Sequence, residues 1–423
     1  MAELIDLKET EERVILIGVS QGDGSDAEQS LLELEELVRT AGAASVGTVI
    51  QKREQVHPGT YLGKGKLQEV KELLWELDAT GVVCDDELSP AQLRNMEQIL
   101  DTKIMDRTMV ILDIFAARAH TREGKIQVEL AQLKYRAVRL VGMRDSLSRL
   151  GGGIGTRGPG EKKLEIDRRR IHDRIGQLKR ELEEVKRHRE IQRKQRQSSQ
   201  VMTAAIVGYT NAGKSTLLNV LTDAGILAED KLFATLDPTT RGLTLPGGQK
   251  ILLTDTVGFI RKLPHHLIEA FKSTLEEAKY SDIILHVVDC SNPQMEEQIY
   301  VVYETLRQLE VTGKTIVTVF NKIDKLTEGV ILRDIQADYQ VRISAADGQG
   351  LDELKEILEK IVQSSRVYLD QIYSYQEAGI IQKIRQSGTL ISEEYEEEGI
   401  HVKAYVPAEL FGRLLLGDQK KFY

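Results

Sequence analysis

Eight residues near the middle of the chain carry the strongest chemical signal. Residues 208–215 read GYTNAGKS, a glycine-rich run that ends in lysine and serine. The apolar stretch 201–207 before it predicts a strand and residues 216–221 after it predict a helix, the setting in which such a run binds phosphate. Glycines let backbone N–H groups face the phosphates, and the start of the helix adds positive potential. We therefore predict that Lys214 reaches the β and γ oxygens of a nucleotide and that Ser215 binds Mg²⁺.

A second motif specifies the base. Residues 321–324 read NKID and follow the apolar stretch 315–320, which predicts a strand. The Asp324 carboxylate can accept from both N1–H and the exocyclic amine of guanine, a pair that adenine lacks. Sites built on such a pair can discriminate by roughly 10⁴-fold. Lys322 is expected to stack its stem on the base, and SAA at residues 344–346 is expected to complete the pocket.

A third motif lies between the other two. DTVG at residues 255–258 ends another apolar strand, so we expect Asp255 to hold the metal mainly through water and Gly258 to offer its N–H to the γ-phosphate. Ras-like enzymes carry a Gln at the next position to orient the attacking water, and this chain has Phe259. Phenylalanine cannot orient water. We therefore expect slow hydrolysis unless a partner or another part of the chain supplies the missing group.

The segment KLFATLDPTTR at residues 231–241 is typical of a switch loop. Such a loop needs one threonine on Mg²⁺ with its N–H near the γ-phosphate, and the loss of those contacts after hydrolysis is the switching event. We select Thr235, and Thr239 and Thr240 are the alternatives.

The three motifs and the switch loop predict a GTP/GDP site with Mg²⁺. Its catalytic residues are Lys214, Thr235 and Gly258, and its metal ligands are Ser215 and Thr235. Asn211 is a weaker candidate for holding K⁺ near the phosphates. The residues predicted to bind the nucleotide are Gly208, Tyr209, Thr210, Asn211, Ala212, Gly213, Lys214, Ser215, Thr216, Phe233, Ala234, Thr235, Leu236, Asp237, Asp255, Thr256, Val257, Gly258, Asn321, Lys322, Ile323, Asp324, Ser344, Ala345 and Ala346.

The composition indicates a globular protein of several domains. The chain has 423 residues, of which 41% are hydrophobic and 29% charged. No apolar run has the length of a membrane span, and the acidic N-terminus does not resemble a secretory or transit leader. Cys84 and Cys290 each end an apolar run, so we expect buried thiols in a reduced, cytoplasmic compartment.

Positive charge is concentrated in one segment of this acidic chain. Residues 116–200 contain 23 Lys and Arg against 11 Asp and Glu, whereas the rest of the chain contains 34 against 55. The surplus favours a polyanionic partner such as nucleic acid for that segment. The alternative is a solvated helix with internal ion pairs, which accounts for the mixed signs but less well for the surplus.

The pattern along the chain predicts the α/β fold class: a P-loop GTPase domain preceded by a small α/β domain with a long α-helical hairpin and followed by a small α+β domain. The expected boundaries are 1–110 for the N-terminal domain, 111–198 for the basic hairpin, 199–364 for the GTPase domain and 365–423 for the C-terminal domain. The last should hold a helix at 376–387, strands at 389–395 and 400–406 around an acidic tip, and a final helix after Pro407.

Alternating strands and helices predict a small parallel sheet in the N-terminal domain. Ser89 followed by Pro90 is typical of a helix start. The segment 57–66 opens another helix and either holds an anion at its N-terminus or is a plain glycine-rich turn. The expected elements are strands at 13–19, 46–51 and 81–85 and helices at 26–41, 66–79 and 89–100.

Residues 111–145 and 161–198 predict two long helices whose apolar faces pack on each other as a hairpin. The faces are Ile126, Leu130, Leu133, Ala137 and Val141 against Leu164, Ile171, Ile175, Leu178, Leu182, Val185 and Ile191. The connection, residues 151–160, contains six glycines and is flanked by basic residues. It is either a flexible tip that becomes ordered on nucleic acid or a surface loop without a role, and its length and glycine content favour function.

With these parts in place, the chain resembles the HflX family of translational GTPases over nearly its whole length. The α/β domain before the hairpin, GGGIGTRGPGE, LFATLDPTTR and DTVGF carry the resemblance. It implies binding to the large ribosomal subunit and GTP-dependent splitting or rescue of stalled ribosomes under stress, with the hairpin and Gly151–Gly160 contacting rRNA near the peptidyl-transferase centre. The family's N-terminal part has also been linked to ATP, for which the segment 63–66 is a weak signal. We expect a monomer.

Two alternatives stay open at this point. A ribosome-assembly GTPase would share the motifs and the basic arm but would bind immature subunits. An ATP-driven RNA-remodelling protein would instead work through the N-terminal region and the arm, and would not need Lys214.

Overall fold

The computed structural model describes residues 12–21, 25–147, 159–198, 201–222, 232–262, 276–326, 331–407, 410–412 and 414. They fall into two compact units. The first unit comprises Met1–Val185, Leu227–Asp237 and Val257–Glu276, and the second comprises Lys186–Ile226, Pro238–Thr256 and Glu277–Tyr423. The four predicted domain boundaries stay a prediction.

The first unit begins with four strand–helix pairs, as alternating patterns predict. Its strands are Arg13–Ser20 (β1), Ala44–Lys52 (β2), Gly81–Cys84 (β3) and Lys103–Asp106 (β4). Its helices are Ser25–Thr40 (α1), Lys64–Glu76 (α2), Pro90–Leu100 (α3), Arg107–Arg118 (α4) and Arg122–Leu147 (α5), followed by Pro159–Ser198 (α6), which continues into the second unit.

The four strands form one parallel sheet in the order β2-β1-β3-β4. Helices α1 and α4 contact each other, as do α2 and α3, and members of both pairs contact the sheet. A strand covered on both sides is apolar throughout, and all four residues of β3, GVVC, are buried. The predicted strands β1 to β3 are confirmed. Strand β4 was not predicted; it is only four residues long.

Local signals fixed the start of α3 as expected. Ser89 accepts a hydrogen bond from the Gln92 amide at 3.2 Å, and the Gln92 side chain accepts one from the Ser89 amide at 2.9 Å. This reciprocal capping box, with Pro90 in the first turn, satisfies amides that the helix cannot satisfy itself.

The prediction of one continuous helix over 111–145 is wrong. The chain forms α4 and α5, separated by Ala119–Thr121. The Asp106 side chain caps α4 by accepting from the Met109 amide at 3.0 Å. The break also has a partner distant in sequence, because Asp237 accepts hydrogen bonds from the amides of His120 and Thr121. A pattern search within the segment could not reveal that partner.

Helices α5 and α6 form the predicted basic hairpin, which we call the arm, and they pack as their apolar faces predict. Ile126 and Leu130 form a buried cluster with Ile175 and Leu178, joined by partly buried neighbours from both helices. Arg174 donates two hydrogen bonds to Glu129 across the pair, at 2.7 and 2.9 Å. The side chains of residues 141, 164 and 191 and the loop residues 151–158 lie outside the description. Helix α6 starts at Pro159, two residues earlier than predicted.

The second unit contains a six-stranded sheet in the order β10-β9-β8-β5-β7-β6. All neighbours are parallel except the edge strand β6, which pairs antiparallel with β7. The strands are Met202–Gly208 (β5), Thr239–Thr244 (β6), Lys250–Asp255 (β7), Ile283–Asp289 (β8), Thr315–Asn321 (β9) and Tyr339–Arg342 (β10). The helices are Lys214–Thr222 (α7), Met295–Gln308 (α8) and Leu351–Ser364 (α9).

The C-terminal part of the second unit is a three-stranded antiparallel sheet in the order β11-β13-β12. Its elements are Arg366–Tyr373 (β11), Ala378–Ser387 (α10), Thr389–Glu396 (β12) and Gly399–Pro407 (β13). The predicted hairpin is confirmed, but β11 was missed and the acidic run extends into β12 instead of forming only the tip. Of the final helix, residues 410–412 and 414 are described as helical.

Both cysteines are free thiols and buried, as predicted: Cys84 ends β3 and Cys290 follows β8. Among the described residues, no helix combines the length and apolar character needed to cross a membrane.

A buried cation lies at the carboxyl end of the sheet in the first unit. Arg107, only 1% exposed, donates to Asp85 at 2.7 Å and to Glu33 at 2.6 Å. Burial opposes its charge, but the two carboxylates outweigh burial and raise the pKa of Arg107. One buried guanidinium therefore compensates two carboxylates.

We expect Arg107→Met to destabilise the protein by about 3–5 kcal/mol, because it removes the buried cation that Asp85 and Glu33 share and leaves Lys262 as the cation paired with Asp85. Urea unfolding of the purified protein measures the change. Lys103→Met is the matched control: it removes an ion pair with Glu12 whose side chains are both 51% exposed, and should cost no more than about 1 kcal/mol. Equal losses in the two variants would contradict the assignment.

Candidate nucleotide site

The phosphate loop has the strand–loop–helix setting that the sequence predicts. Strand β5 leads into residues 208–213, and α7 begins at Lys214. The Lys214 ammonium is 6% exposed and donates to the carbonyl of Tyr209 at 2.8 Å, so it lies across the loop. Tyr209 and Thr210 are also buried. This arrangement can present the cation and the loop amides to phosphate together.

Asn321 connects the phosphate loop to the other loops of the site. Its Nδ2 donates to the carbonyl of Ala212 at 2.9 Å, and its Oδ1 accepts from the amide of Ala345 at 3.0 Å. Gly213 allows this close approach, since its φ is +95° and a Cβ there would overlap Nδ2 of Asn321. The NKID motif predicts Asn321 in the base pocket, and its contact with the phosphate loop is evident only in the structure.

We predict that Gly213→Ala weakens GDP binding at least about tenfold, because the added Cβ must displace the Asn321 amide and the backbone strain costs about 1–2 kcal/mol. Titration with a fluorescent GDP analogue measures this. Gly248→Ala is the control: its φ is +79°, with no atom within 4 Å of the new Cβ. If both variants bind normally, the loop does not need this close contact.

Two oxygen ligands meet beside the loop. The Ser215 hydroxyl donates to the Asp255 carboxylate at 2.7 Å, and Asp255 is completely buried at the end of β7. Hydroxyl and carboxylate oxygens are the ligands that Mg²⁺ prefers. The residues present therefore fit the predicted ion, with Ser215 and Asp255 on the same side of the loop.

Burial lowers the pKa of Lys214 to about 8; Asp255 partly opposes this shift, and the nearby Lys322 contributes to it. In the nucleotide-free protein, Lys214 therefore loses its proton as the pH rises through about 8. A phosphate group placed against Lys214 would favour the charged form and raise this pKa again. Nucleotide binding above that pH must then take up a proton.

We predict that GDP affinity falls between about pH 7 and about pH 9.5, by at most about tenfold per unit, since the free protein must be protonated before it binds. Calorimetric titration at about pH 9 in two buffers of different ionisation enthalpy should show net proton uptake. Absence of uptake would mean that Lys214 is already charged in the free protein.

The predicted base-reading loop is also assembled. The Ser344 hydroxyl donates to Asp324 at 2.7 Å and also lies 3.1 Å from Asp347, which fixes the Asp324 carboxylate. Lys322 has a left-handed backbone with φ 65° and pairs with Asp289 at 2.7 Å. Asp289 was not among the predicted site residues, although its position at the end of the apolar strand β8 was an available signal.

The three candidate switch threonines differ in their secondary structure. Thr239 and Thr240 lie in β6, opposite Asp255 and Thr254, and the hydroxyls of Thr240 and Thr254 are 2.9 Å apart. Thr235 lies before the strand, among residues without regular secondary structure. This favours Thr235 as the loop threonine, although its metal contact stays a prediction.

The remaining predicted residues divide between the units. The Thr256 hydroxyl donates to the carbonyl of Ile206 at 2.8 Å within the second unit. The residues that belong to the first unit are Phe233, Ala234, Thr235, Leu236, Asp237, Val257 and Gly258. There, Phe233 packs edge-on against Phe115 with ring centroids 4.8 Å apart. Their predicted contacts with nucleotide stay predictions.

The segment before α2 has internal partners for its polar groups. The Gly63 amide donates to Gln51 at 2.8 Å, and Lys66 pairs with Glu69 at 2.8 Å. These contacts agree with the glycine-rich turn, and the predicted ATP site stays a prediction.

Three family models match successive parts of the chain. They are described as GTP-binding GTPase N-terminal for residues 28–116, GTP-binding GTPase middle region for residues 118–196 and 50S ribosome-binding GTPase for residues 203–322.

Curated relatives match over almost the full length. The chain is 75% identical to a protein named GTPase HflX from Lacrimispora saccharolytica, covering 98% of both chains. It is 49% identical to the GTPase HflX of Caldanaerobacter subterraneus, covering 97% of this chain and 94% of that one. It is 40% identical to the Escherichia coli protein of the same name, covering 94% and 93%.

Proposed function

The chain belongs to the HflX family of GTPases, and on that premise we propose that it binds the large ribosomal subunit and splits or rescues stalled ribosomes in the cytoplasm under stress. GTP hydrolysis to GDP and phosphate is the activity of the family. The further proposal concerns what hydrolysis drives, which residues carry it out and which surface meets the ribosome.

At the nucleotide, Lys214 and the amides of residues 208–213 bind the phosphates, and Asp324 reads guanine. The assignment is supported by the buried position of Lys214 across the loop and by the Ser344 contact that orients Asp324. Asn211, with φ 60° in the same loop, is proposed to help hold K⁺. Thr235 and Gly258 respond to the γ-phosphate.

Mg²⁺ would be held by Ser215 and Thr235, with Asp255 acting through water. When bound, it neutralises charge on the β and γ oxygens. The 2.7 Å contact between Ser215 and Asp255 supports this ligand set, because it brings two hard oxygen donors together at the loop.

The exposed positive charge of the arm is the observation that carries the ribosome proposal. Many cations of α5 and α6 lie on the surface, while the apolar residues of the same helices are used in packing them together. A surface of this kind attracts an RNA backbone regardless of sequence. The exposed cations are Arg122, Lys125, Arg136, Arg168, Arg169, Arg170, Lys179, Arg180 and Arg187.

We propose that the ribosome also completes a poor active site. Phe259 stands where a water-orienting Gln is found in Ras-like enzymes, and it is only 2% exposed. An apolar side chain cannot position water, so turnover by the protein alone is slow. GTP binding then favours the conformation whose arm, with Gly151–Gly160 at its tip, fits rRNA, and hydrolysis releases the protein, which acts as a monomer.

The test is GTP turnover with and without purified large ribosomal subunits, at low and moderate salt. We expect stimulation of at least about 10-fold, weakened by salt because the arm is bound through charge. Deletion of Gly151–Gly160 should remove most of the stimulation and leave the basal rate unchanged, since none of the predicted nucleotide-binding residues lies in the deleted segment.

The alternatives predict other results. A ribosome-assembly GTPase would be stimulated by immature subunits and would not dissociate intact ribosomes in sucrose gradients. An RNA-remodelling protein would act on free RNA with ATP and keep that activity in Lys214→Ala. Either outcome, together with no stimulation by mature subunits, would overturn the proposal.

A further inference from the structure

The first unit holds both nucleotide-sensing segments through polar contacts. One contact is made by Asp237, which lies two residues after Thr235. Its Oδ2 accepts from the amides of His120 and Thr121 at 3.0 and 2.9 Å, and its Oδ1 accepts from the Thr121 hydroxyl. His120 and Thr121 immediately precede Arg122, the first residue of α5. The amides at the start of a helix have no partner within the helix. Asp237 thus caps the root of the arm from a distance of more than 100 residues in sequence.

The packing around Asp237 agrees with a specific contact. A Cβ at Gly124 would overlap Oδ1 of Asp237, so only glycine leaves the carboxylate in place. The Gly124 amide in turn donates to the Thr121 hydroxyl at 3.0 Å, which continues the cap into the helix. Phe233, in the same segment, is 2% exposed and packs on Phe115 of α4.

The second contact is made by Lys262, four residues after Gly258. Its ammonium pairs with Asp85 and, at 2.8 Å, with Asp86. Neighbouring Arg261 pairs with Asp26. Burial opposes the charge of Lys262, but Asp85 and Asp86 outweigh it and raise the pKa of Lys262. The ion pair between Lys262 and Asp85 therefore stays charged at neutral pH.

The contact between Lys262 and Asp85 lies at the carboxyl end of β3. In the order β2-β1-β3-β4, the connections reverse direction between β1 and β3, and α/β domains bind ligands outside the carboxyl ends of the strands at such a point. Asp85 directly follows β3. Lys262 therefore forms its ion pair at the strand end where other α/β domains hold a ligand. Buried Arg107 lies close by and donates to the carbonyl of Arg261 at 3.4 Å.

We propose that Asp237 and Lys262 are positioning residues that couple the bound nucleotide to the root of the arm. GTP draws Thr235 and Gly258 towards its γ-phosphate and metal, and the short chain distances to Asp237 and Lys262 mean that this movement loosens both contacts. GDP leaves them intact. The proposal rests on the proposed roles of Thr235 and Gly258, but it does not depend on ribosome binding.

Coupling of this kind is reciprocal. If GTP loosens the two contacts, then removing a contact must make GTP binding easier relative to GDP by the same factor. The GTP-to-GDP affinity ratio therefore measures the proposed role. A residue that only stabilises the fold would change both affinities together.

The first test uses the unaltered protein without ribosomes. Hydrogen exchange is followed in a peptide covering residues 119–125, with GDP or with a non-hydrolysable GTP analogue. We expect exchange of the His120 and Thr121 amides to be at least about fivefold faster with the GTP analogue. Equal exchange in the two states, with both nucleotides bound, would overturn the proposal.

The second test uses variants. Asp237→Ala and Lys262→Met should each raise the GTP-to-GDP affinity ratio by about fivefold or more. Lys262→Arg should leave the ratio at the value of the unaltered protein, because it keeps the ion pair. Asp237→Ala should also make exchange at residues 119–125 fast with either nucleotide.

Two controls separate this effect from a loss of stability. Ser89→Ala removes a helix cap and Lys103→Met removes an exposed lysine ion pair, both in the first unit and neither next to a sensing segment. Both should leave the ratio within about twofold. A change in the controls equal to that in Lys262→Met would refute the assignment. Failure of ribosome stimulation alone would leave these results unaffected, so the two proposals fail separately.

Discussion

Parallel strands bring their carboxyl ends to one edge of a sheet, and both units of this protein depend on that constraint. In the second unit, β5, β7, β8 and β9 deliver the phosphate loop, Asp255, Asp289 and Asn321 to one edge. In the first unit, β3 and β4 deliver Asp85 and Asp106 to the corresponding edge, beside Arg107. The same geometry thus yields a nucleotide site in one unit and an internal ion-pair cluster in the other.

Within the nucleotide site, the side-chain amide of Asn321 is the contact on which the loops depend. It joins Ala212 of the phosphate loop to Ala345 of the base-reading loop, and Cys290 donates to its main-chain carbonyl at 2.9 Å. One amide therefore sets the distance between the phosphate loop and the predicted base-reading loop. Lys214 is buried, and burial lowers its pKa because the charged form is only weakly stabilised in the absence of a phosphate group.

The nucleotide motifs and the N-terminal sheet each differ from a common pattern. The nucleotide motifs include Phe259 at the position where Ras-like enzymes carry a Gln. In the N-terminal sheet, Lys262 pairs with Asp85 at the end of β3, a position at which other α/β domains bind ligands. The segments that run through Phe233 and Phe259 belong to the first unit. A nucleotide-dependent change in those segments is therefore also a change in the N-terminal unit, which holds the root of the basic arm.

The sequence by itself determined the fold class, the strand–loop–helix of the phosphate site, the helix start at Ser89 and the apolar faces of the arm helices. These depend on periodicity and on residues close together in the chain. Only the tertiary structure showed the break before Thr121, the brace made by Asn321 and the pairing of Lys262 with Asp85. The contacts of His120 with Asp237, of Ala212 with Asn321 and of Asp85 with Lys262 each join groups more than a hundred residues apart, and no local pattern encodes such a contact. Hydrogen bonds and ion pairs formed across the fold decide those positions, because their energy exists only once both partners have been brought together.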